Sequence, residues 1–215
     1  MDKEQERNRI IVDRGLAKGG LRIHGVNPAL LVGKILREKI QDGHYWYMKG
    51  MGLGFYGLLD ECRLNVHIVG TYLNVAKTKV CKFITLLFRL LQQDKIIPFD
   101  VVEWLIIGNH GYKYLTVLFM VYARLVWEDN VQLYKVLESK YSDYRRIRII
   151  NNGVVKLTYI DEIADMLLNT QENDFCGMTL PRLINRWVLE ESGKLEERES
   201  ELMDEFEDEL DAMDE

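Results

Sequence analysis

The sequence lacks several features that mark common functional classes. It has no run of 18 apolar residues, so no membrane-spanning helix is expected. Residues 1–22 mix charged residues with short apolar steps and lack the continuous apolar stretch of a secretory signal. Its three cysteines, Cys62, Cys81 and Cys176, lie far apart and form no zinc-ligand pair. These absences predict a reduced, intracellular protein with no membrane partner.

Recognisable catalytic and cofactor-binding patterns are also missing. The glycines at 50, 52 and 54 follow no predicted strand, so they do not form a phosphate-binding loop. None of the four histidines has a partner three or four residues away, the spacing that places two metal ligands on one helix face. No nucleophile elbow is present. The sequence therefore predicts no enzymatic activity, cofactor, metal ion or small-molecule substrate.

What the chain does contain is a folded composition with an uneven charge distribution. Apolar residues make up 47% of the 215 positions and only three residues are proline. Residues 190–215 hold 14 acidic and two basic residues, a net charge of −12, so the remaining residues carry a net +6. We expect a flexible or helical arm over 1–21, a helical core over 22–192 and an acidic amphipathic tail over 193–215.

Apolar residues recur at helical spacing through most of the core region. Asn27 and Pro28 are typical of a cap and first residue, which predicts a helix over 28–41. The segment from Tyr112 to Trp127 is apolar around most of its circumference, which places it at the centre of the core. Further helices are predicted over about 55–63, 79–93, 98–108, 129–141, 161–167 and 181–191, with Asp129 as the cap of the fourth, while 66–75 fits either a strand or a buried connector. The predicted fold is mainly α, a compact multi-helix domain with one small β-hairpin and an acidic C-terminal helical tail.

The hairpin is predicted over 146–158, with 151–153 as its turn. A three-residue loop pairs Ile149 with Val155, whereas a two-residue loop pairs Ile149 with Lys156. Apolar matching favours the three-residue loop.

This register sets Arg148 directly opposite Lys156, with Arg146 on the same face and Arg145 just before the strand. Like charges across a strand pair are unfavourable, by a few tenths to about 1 kcal/mol. We therefore expect Arg145, Arg146, Arg148 and Lys156 to bind an anion. RNA phosphate, an acidic segment of a partner protein and the acidic tail of the same chain all fit.

Two apolar features fit more than one role. Tyr45 and Trp46 belong to an aromatic cluster that either packs in the core or anchors a protein interface. In the tail, Leu202 and Phe206 belong to an apolar stripe at helical spacing. That stripe fits a partner-binding helix, and the tail as a whole also fits a solvated, partly disordered segment.

Six blocks of sequence follow one another in a characteristic order. They are VNPALLVGKILREKI at 26–40, GTY at 70–72, YKYLTVLFMVYARL at 112–125, LYKVLESKYSDYRRIR at 133–148, YIDEIADMLL at 159–168 and LPRLINRWVLEE at 180–191. Together they resemble the amino-terminal domain of the pre-mRNA-splicing factor 38 family, over about residues 22–210. One departure is LNVAKTK at 73–79, where the family usually has glycines, proline and threonine, so the shape of this loop is not carried over.

The resemblance implies a mainly helical, nuclear, non-catalytic scaffold subunit of the spliceosome. It implies a place in the tri-snRNP and the precatalytic B complex, and a need for the protein when the spliceosome is activated. It further implies docking of a zinc-finger splicing protein and of microfibrillar-associated protein 1, with contact to spliceosomal snRNP RNA also open. The alternative is a direct RNA-binding splicing protein that uses the basic face of the hairpin, although no RNA-binding module is recognisable.

Overall fold

The computed structural model is mainly helical and describes residues 22–93, 95–108, 111–151, 153–169 and 174–198. Its helices are α1 (Lys34–Gln41), α2 (His44–Met48), α3 (Phe55–Asn65), α4 (Lys82–Leu91), α5 (Phe99–Ile107), α6 (Lys113–Val126), α7 (Asn130–Glu138), α8 (Ile160–Asn169) and α9 (Arg186–Glu191). Its strands are β1 (Val69–Gly70), β2 (Arg146–Asn151), β3 (Val154–Tyr159), β4 (Asp174–Phe175) and β5 (Met178–Thr179). The predicted mainly α fold is confirmed. The predicted arm over 1–21 and the tail beyond residue 198 lie outside the described residues.

Helix α6 occupies the centre of the core, as its apolar circumference predicts. Every residue from Leu115 to Val126 is buried, and α3, α4, α5, α7 and α8 pack around the helix. The ring of Phe119 meets Phe55 edge-on at 6.4 Å and Tyr122 at 6.0 Å. Because a helix apolar on all sides has no face to offer water, it must be surrounded in this way.

The helix predicted over 28–41 is interrupted. Asn27 caps it as expected, accepting a hydrogen bond from the Ala29 N–H at 3.1 Å, but only Pro28–Leu31 follows, as a 3-10 helix. Val32 then forms a β-bridge with Met178, and the Gly33 N–H donates to the Gly177 carbonyl at 3.4 Å. This tertiary pairing with the β4–β5 hairpin holds the chain extended until α1 begins.

Two further helix starts were predicted too early. Helix α4 begins at Lys82 because residues 79–81 pair with 71–73: the Leu73 N–H donates to the Lys79 carbonyl and the Cys81 N–H to the Thr71 carbonyl, both at 2.8 Å. Helix α9 begins at Arg186 and not at Pro181, since Asn185 is still extended. Asp129 does cap α7 as predicted, accepting hydrogen bonds from the N–H groups of Val131 and Gln132.

The hairpin exists, but its predicted register is wrong. Ile149 pairs with Lys156 and Asn151 with Val154, so the connection between the strands is two residues long and not three. Apolar matching failed because Leu157 is 63% exposed and has no need of an apolar partner. The tertiary structure decides the register instead, since β2 also pairs in parallel with β1 and so completes a three-stranded sheet.

The described residues up to Leu183 form one compact unit, and those from Ile184 onward form a second one. In the described part of the second unit, α9 ends at a turn in which Gly193 has a positive φ of 68°. The N–H groups of Lys194 and Leu195 both donate to the Leu189 carbonyl there. Glycine at this position is a common way to end a helix.

Candidate docking surfaces

The structure does not bring the four predicted cationic residues onto one surface. Arg146 and Arg148 are exposed and, two residues apart on β2, lie on the same face of the sheet. Lys156 lies on the opposite face, paired with Ile149, and lines a pocket with Asp161, Glu162 and Asp165. The predicted juxtaposition of Arg148 and Lys156 is therefore wrong. Only the guanidinium groups of Arg146 and Arg148, among these four cations, share an exposed face of the sheet.

Arg145, the fourth cation, is held by an intramolecular ion pair. Its Nε donates to Asp143 Oδ1 at 2.8 Å and its Nη2 to Asp143 Oδ2 at 2.6 Å, a bidentate arrangement. Burial raises the pKa of the Asp143 carboxyl, but the Arg145 hydrogen bonds outweigh burial and hold this pKa below its ordinary value. Arg145 thus secures the entry of the chain into β2 and is not a free anion-binding group.

This ion pair predicts a pH-dependent contribution to stability. We expect Asp143→Asn to lower the free energy of unfolding by about 1 kcal/mol at pH 7, since both side chains are partly shielded from water. A carboxyl with a lowered folded-state pKa stabilises fully above its unfolded value near 3.9, and the contribution is lost as the pH falls through the folded value. The difference between wild type and variant should therefore shrink between pH 5 and pH 3 in urea unfolding.

Asp60→Asn is the matched control for this prediction. Asp60 also pairs with an arginine, Arg63, at 3.3 Å, but both side chains are well exposed. Its loss should cost under about 0.5 kcal/mol at any pH. Equal effects of the two substitutions would show that the bidentate pair has no special role.

The structure places Trp46 in the core and Tyr45 at its margin. Trp46 is 6% exposed and packs against Phe88, with ring centroids 5.5 Å apart. The Tyr45 hydroxyl donates to the buried carboxylate of Glu61 at 3.0 Å, and Lys49 forms an ion pair with the same carboxylate. Burial alone would raise the pKa of Glu61, but the hydrogen bonds from Lys49 and Tyr45 keep it below its ordinary value. This arrangement favours the packing role for Trp46.

A cavity of about 520 Å³ opens beside Tyr45 and Trp46. Apolar side chains line much of it, and several lysines stand among its lining residues. Two of these lysines lie over aromatic rings. Lys82 Nζ is 5.3 Å from the centre of the Tyr45 ring, and Lys39 Nζ is 5.1 Å from the centre of the Tyr72 ring. Such a cavity suits an apolar side chain flanked by acidic residues. Its lining includes Lys39, Ile40, Tyr45, Trp46, Val66, Ile68, Val80 and Lys82.

The exposed face of the hairpin carries residues whose role the sequence did not reveal. Val155, Leu157 and Tyr159 are 53%, 63% and 36% exposed, and they lie on the same face as Arg146 and Arg148. The predicted pairing of Val155 with Ile149 assumed a buried apolar face, but periodicity shows only that a strand has an apolar face and not what covers that face. The result is a mixed apolar and cationic surface.

Metal-ligand clusters and membrane-spanning helices are not found in the part of the chain that the structure describes. There, no three His, Cys, Asp or Glu side chains are grouped to hold a metal ion. Among the same residues, none of the helices has the length and apolar character needed to cross a membrane. Leu202 and Phe206, the predicted tail anchors, lie outside the described residues.

These features define a helical domain with exposed apolar and cationic surfaces suited to binding another macromolecule. The model of the PRP38 family matches residues 21–193. The chain belongs to the PRP38 family.

Three relatives illustrate the match. Pre-mRNA-splicing factor 38 of Schizosaccharomyces pombe is 38% identical over 177 residues, which cover 82% of this chain and 80% of that protein. Pre-mRNA-splicing factor 38 of Arabidopsis thaliana is 38% identical, covering 86% of this chain and 50% of its own length. Pre-mRNA-splicing factor 38A of Homo sapiens is 36% identical, covering 86% and 57%. The chain thus spans most of the fission yeast relative and about half of the plant and human ones.

A solved structure shares the fold. It is a chain of the crystal structure of the Snu23–Prp38–MFAP1(217–258) complex of Chaetomium thermophilum. The superposition has a TM-score of 0.77 with 30% sequence identity and covers 91% of this chain and 100% of that chain.

Proposed function

We propose that this protein is a non-catalytic scaffold subunit of the spliceosome that acts in the nucleus by docking other proteins. The observation that carries the proposal is the match, over 91% of the chain, to a chain from a complex that contains Snu23 and MFAP1. The relatives named as pre-mRNA-splicing factors support the same role. The proposed partners are the counterparts of those two proteins, the zinc-finger splicing protein and microfibrillar-associated protein 1.

The surface chemistry of the described residues agrees with docking. Arg146 and Arg148 stand beside exposed Val155 and Leu157, and a separate apolar cavity lies near Tyr45. Protein interfaces combine apolar and aromatic anchors with arginine in this way. Within the proposed role, the protein belongs to the tri-snRNP and the precatalytic B complex and is needed for activation of the spliceosome.

Depletion of the protein from a splicing extract tests this role. We expect precatalytic complexes to assemble and accumulate without catalysis, and purified wild-type protein to restore splicing. The restoration of splicing should require no nucleotide hydrolysis and no metal-dependent activity by the protein itself. Failure of the complexes to assemble at all, or normal splicing after depletion, would contradict the proposal.

Direct RNA binding remains the second candidate, because Arg146 and Arg148 form an exposed pair of guanidinium groups. If each of these two neutralises a phosphate, affinity for single-stranded RNA should fall about sevenfold between 50 and 200 mM salt. The double variant Arg146→Gln, Arg148→Gln should remove that salt dependence. An affinity for RNA that the variant leaves unchanged would exclude this surface as the RNA site.

A further inference from the structure

The two edges of the three-stranded sheet differ in how their backbone groups are satisfied. The Ile160 N–H donates to the Arg145 carbonyl at 3.3 Å, which makes these residues a hydrogen-bonded pair that continues the β2–β3 register. In an antiparallel pair, hydrogen-bonded and non-hydrogen-bonded pairs alternate. Arg146, Arg148 and Ile150 therefore direct their backbone groups away from β3, toward the side of β1.

On the β1 side, the backbone groups of β2 that the short strand β1 does not reach are bonded by side chains. Lys113 Nζ donates to the Arg146 carbonyl at 2.5 Å, and the Arg148 N–H donates to the Tyr114 hydroxyl at 3.3 Å. Both capping side chains come from the first turn of α6. The part of β2 that β1 does not cover is thus closed by side chains of the same chain.

The β3 edge has no such cap among the described residues. By the same alternation, Val155 and Leu157 direct their N–H and C=O groups outward, and Tyr159 directs its N–H outward, while β3 is the last strand of the sheet. No described residue donates to or accepts from these outward groups. An open edge with apolar side chains is the template on which another strand adds.

The charge of the hairpin indicates what kind of strand would add. Residues 146–159 contain Arg146, Arg148 and Lys156 and no acidic residue. The two arginines lie on one face of the sheet, so acidic residues on that face of an added strand would find a cation, whereas Lys156 on the other face already lies beside Asp161, Glu162 and Asp165. A second copy of this chain would bring three more positive charges to the same edge, which disfavours self-pairing.

We propose that the open edge of β3 binds an extended, acidic and partly apolar segment of a partner protein by β-strand addition. This inference rests on the proposed docking function and names the surface and the chemistry of one docked segment. The added strand forms backbone hydrogen bonds with Val155, with Leu157 and with the Tyr159 N–H. Its apolar side chains pack beside Leu157, and its carboxylates pair with Arg146 or Arg148.

Proline substitution at an outward-facing position tests the backbone part of the proposal. Leu157→Pro removes an N–H that serves the edge and leaves the β2–β3 hydrogen bonds in place, because Leu157 belongs to a non-hydrogen-bonded pair. We expect the association of the full chain with affinity-purified precatalytic spliceosomal complexes to weaken at least tenfold. Leu157→Thr, which keeps the N–H, should weaken it less than about threefold.

Amide hydrogen exchange shows whether the variant keeps its hairpin. In the wild-type protein the amides of Lys156 and Thr158 should be protected and those of Val155, Leu157 and Tyr159 should exchange fast. In the Leu157→Pro variant the amides of Lys156 and Thr158 should stay protected. If they lose protection, Val155→Pro serves as the second variant, because the Val155 N–H also faces outward. Wild-type association of a folded proline variant would overturn the proposal while leaving the docking function intact.

A photo-crosslinker identifies the class of occupant. Tyr159→p-benzoylphenylalanine keeps an aromatic ring at the edge, and the same replacement of Tyr56, which is 81% exposed on α3, is the matched control. We expect the Tyr159 variant, in the same purified complexes, to crosslink to an acidic segment of another protein, and the Tyr56 variant not to reach that segment. Crosslinks from position 159 to RNA, to a second copy of this chain, or to nothing would each overturn the proposal. Failure of the wild type to join the complexes would instead overturn the proposed function.

Discussion

Replacing Gly70 by alanine is expected to lower the free energy of unfolding by about 3 kcal/mol. Gly70 has φ of +147°, a conformation that L side chains rarely adopt, and it pairs with Ile150 in the parallel β1–β2 ladder. An added Cβ would lie 2.5 Å from both the Ile150 carbonyl oxygen and Ile150 Cγ2. Neither atom moves easily, because one is backbone and the other branches directly from Cβ.

Thermal unfolding measures this effect, with a fall in Tm of about 6 to 12 °C expected for a unit of this size. Gly111→Ala is the matched control, since Gly111 has φ of +72° but, among the residues that the structure describes, no atom within 4 Å of an added Cβ. It should therefore show the backbone strain alone, about 1 kcal/mol. If the two variants melt at the same temperature, the close approach of β1 to β2 is not what requires glycine at position 70.

Replacing Arg124 by alanine is also expected to cost about 3 kcal/mol. Arg124 lies on the central helix α6, is 3% exposed, and donates from Nε to the Leu167 carbonyl at 2.9 Å near the end of α8. Burial lowers the pKa of its guanidinium group, and the nearby Tyr134 partly offsets this. Truncation would leave a cavity in the core and remove the donor to a helix-terminal carbonyl.

Arg89→Ala separates burial from hydrogen bonding in this prediction. Arg89 makes the same kind of bond, from Nε to the Leu53 carbonyl at 2.9 Å, but it is only partly buried. Its loss should cost about 1 kcal/mol in urea unfolding. Equal losses for the two arginines would show that the buried position of Arg124 adds nothing.

Much of the helical framework could be predicted from the sequence because its signals are local. The apolar circumference of 112–127 predicted the central helix, and Asn27 and Asp129 were recognisable as caps from their own side chains. A cap or an apolar stripe acts within one or two turns of helix, so the residues that decide it lie close together in the sequence.

The candidate site was less accessible to sequence reasoning because its arrangement depends on distant partners. Arg145, Arg146, Arg148 and Lys156 are near one another in sequence, yet one is paired with Asp143 and Lys156 lies on the opposite face from the other two. A change of register by one residue exchanges the two faces of a strand, so a plausible but wrong turn misplaces every charge.

By itself the sequence determined the helical class, the central position of α6 and the resemblance to a splicing-factor family, because these depend on periodicity and on ordered blocks of residues. Only the tertiary structure decided the register of the hairpin, the break after Leu31 and the open edge of β3. Each of these depends on backbone pairing between segments far apart in the chain, such as Val69 with Ile149 and Val32 with Met178. Such pairing leaves little trace in local sequence, because any residue but proline can donate a backbone hydrogen bond.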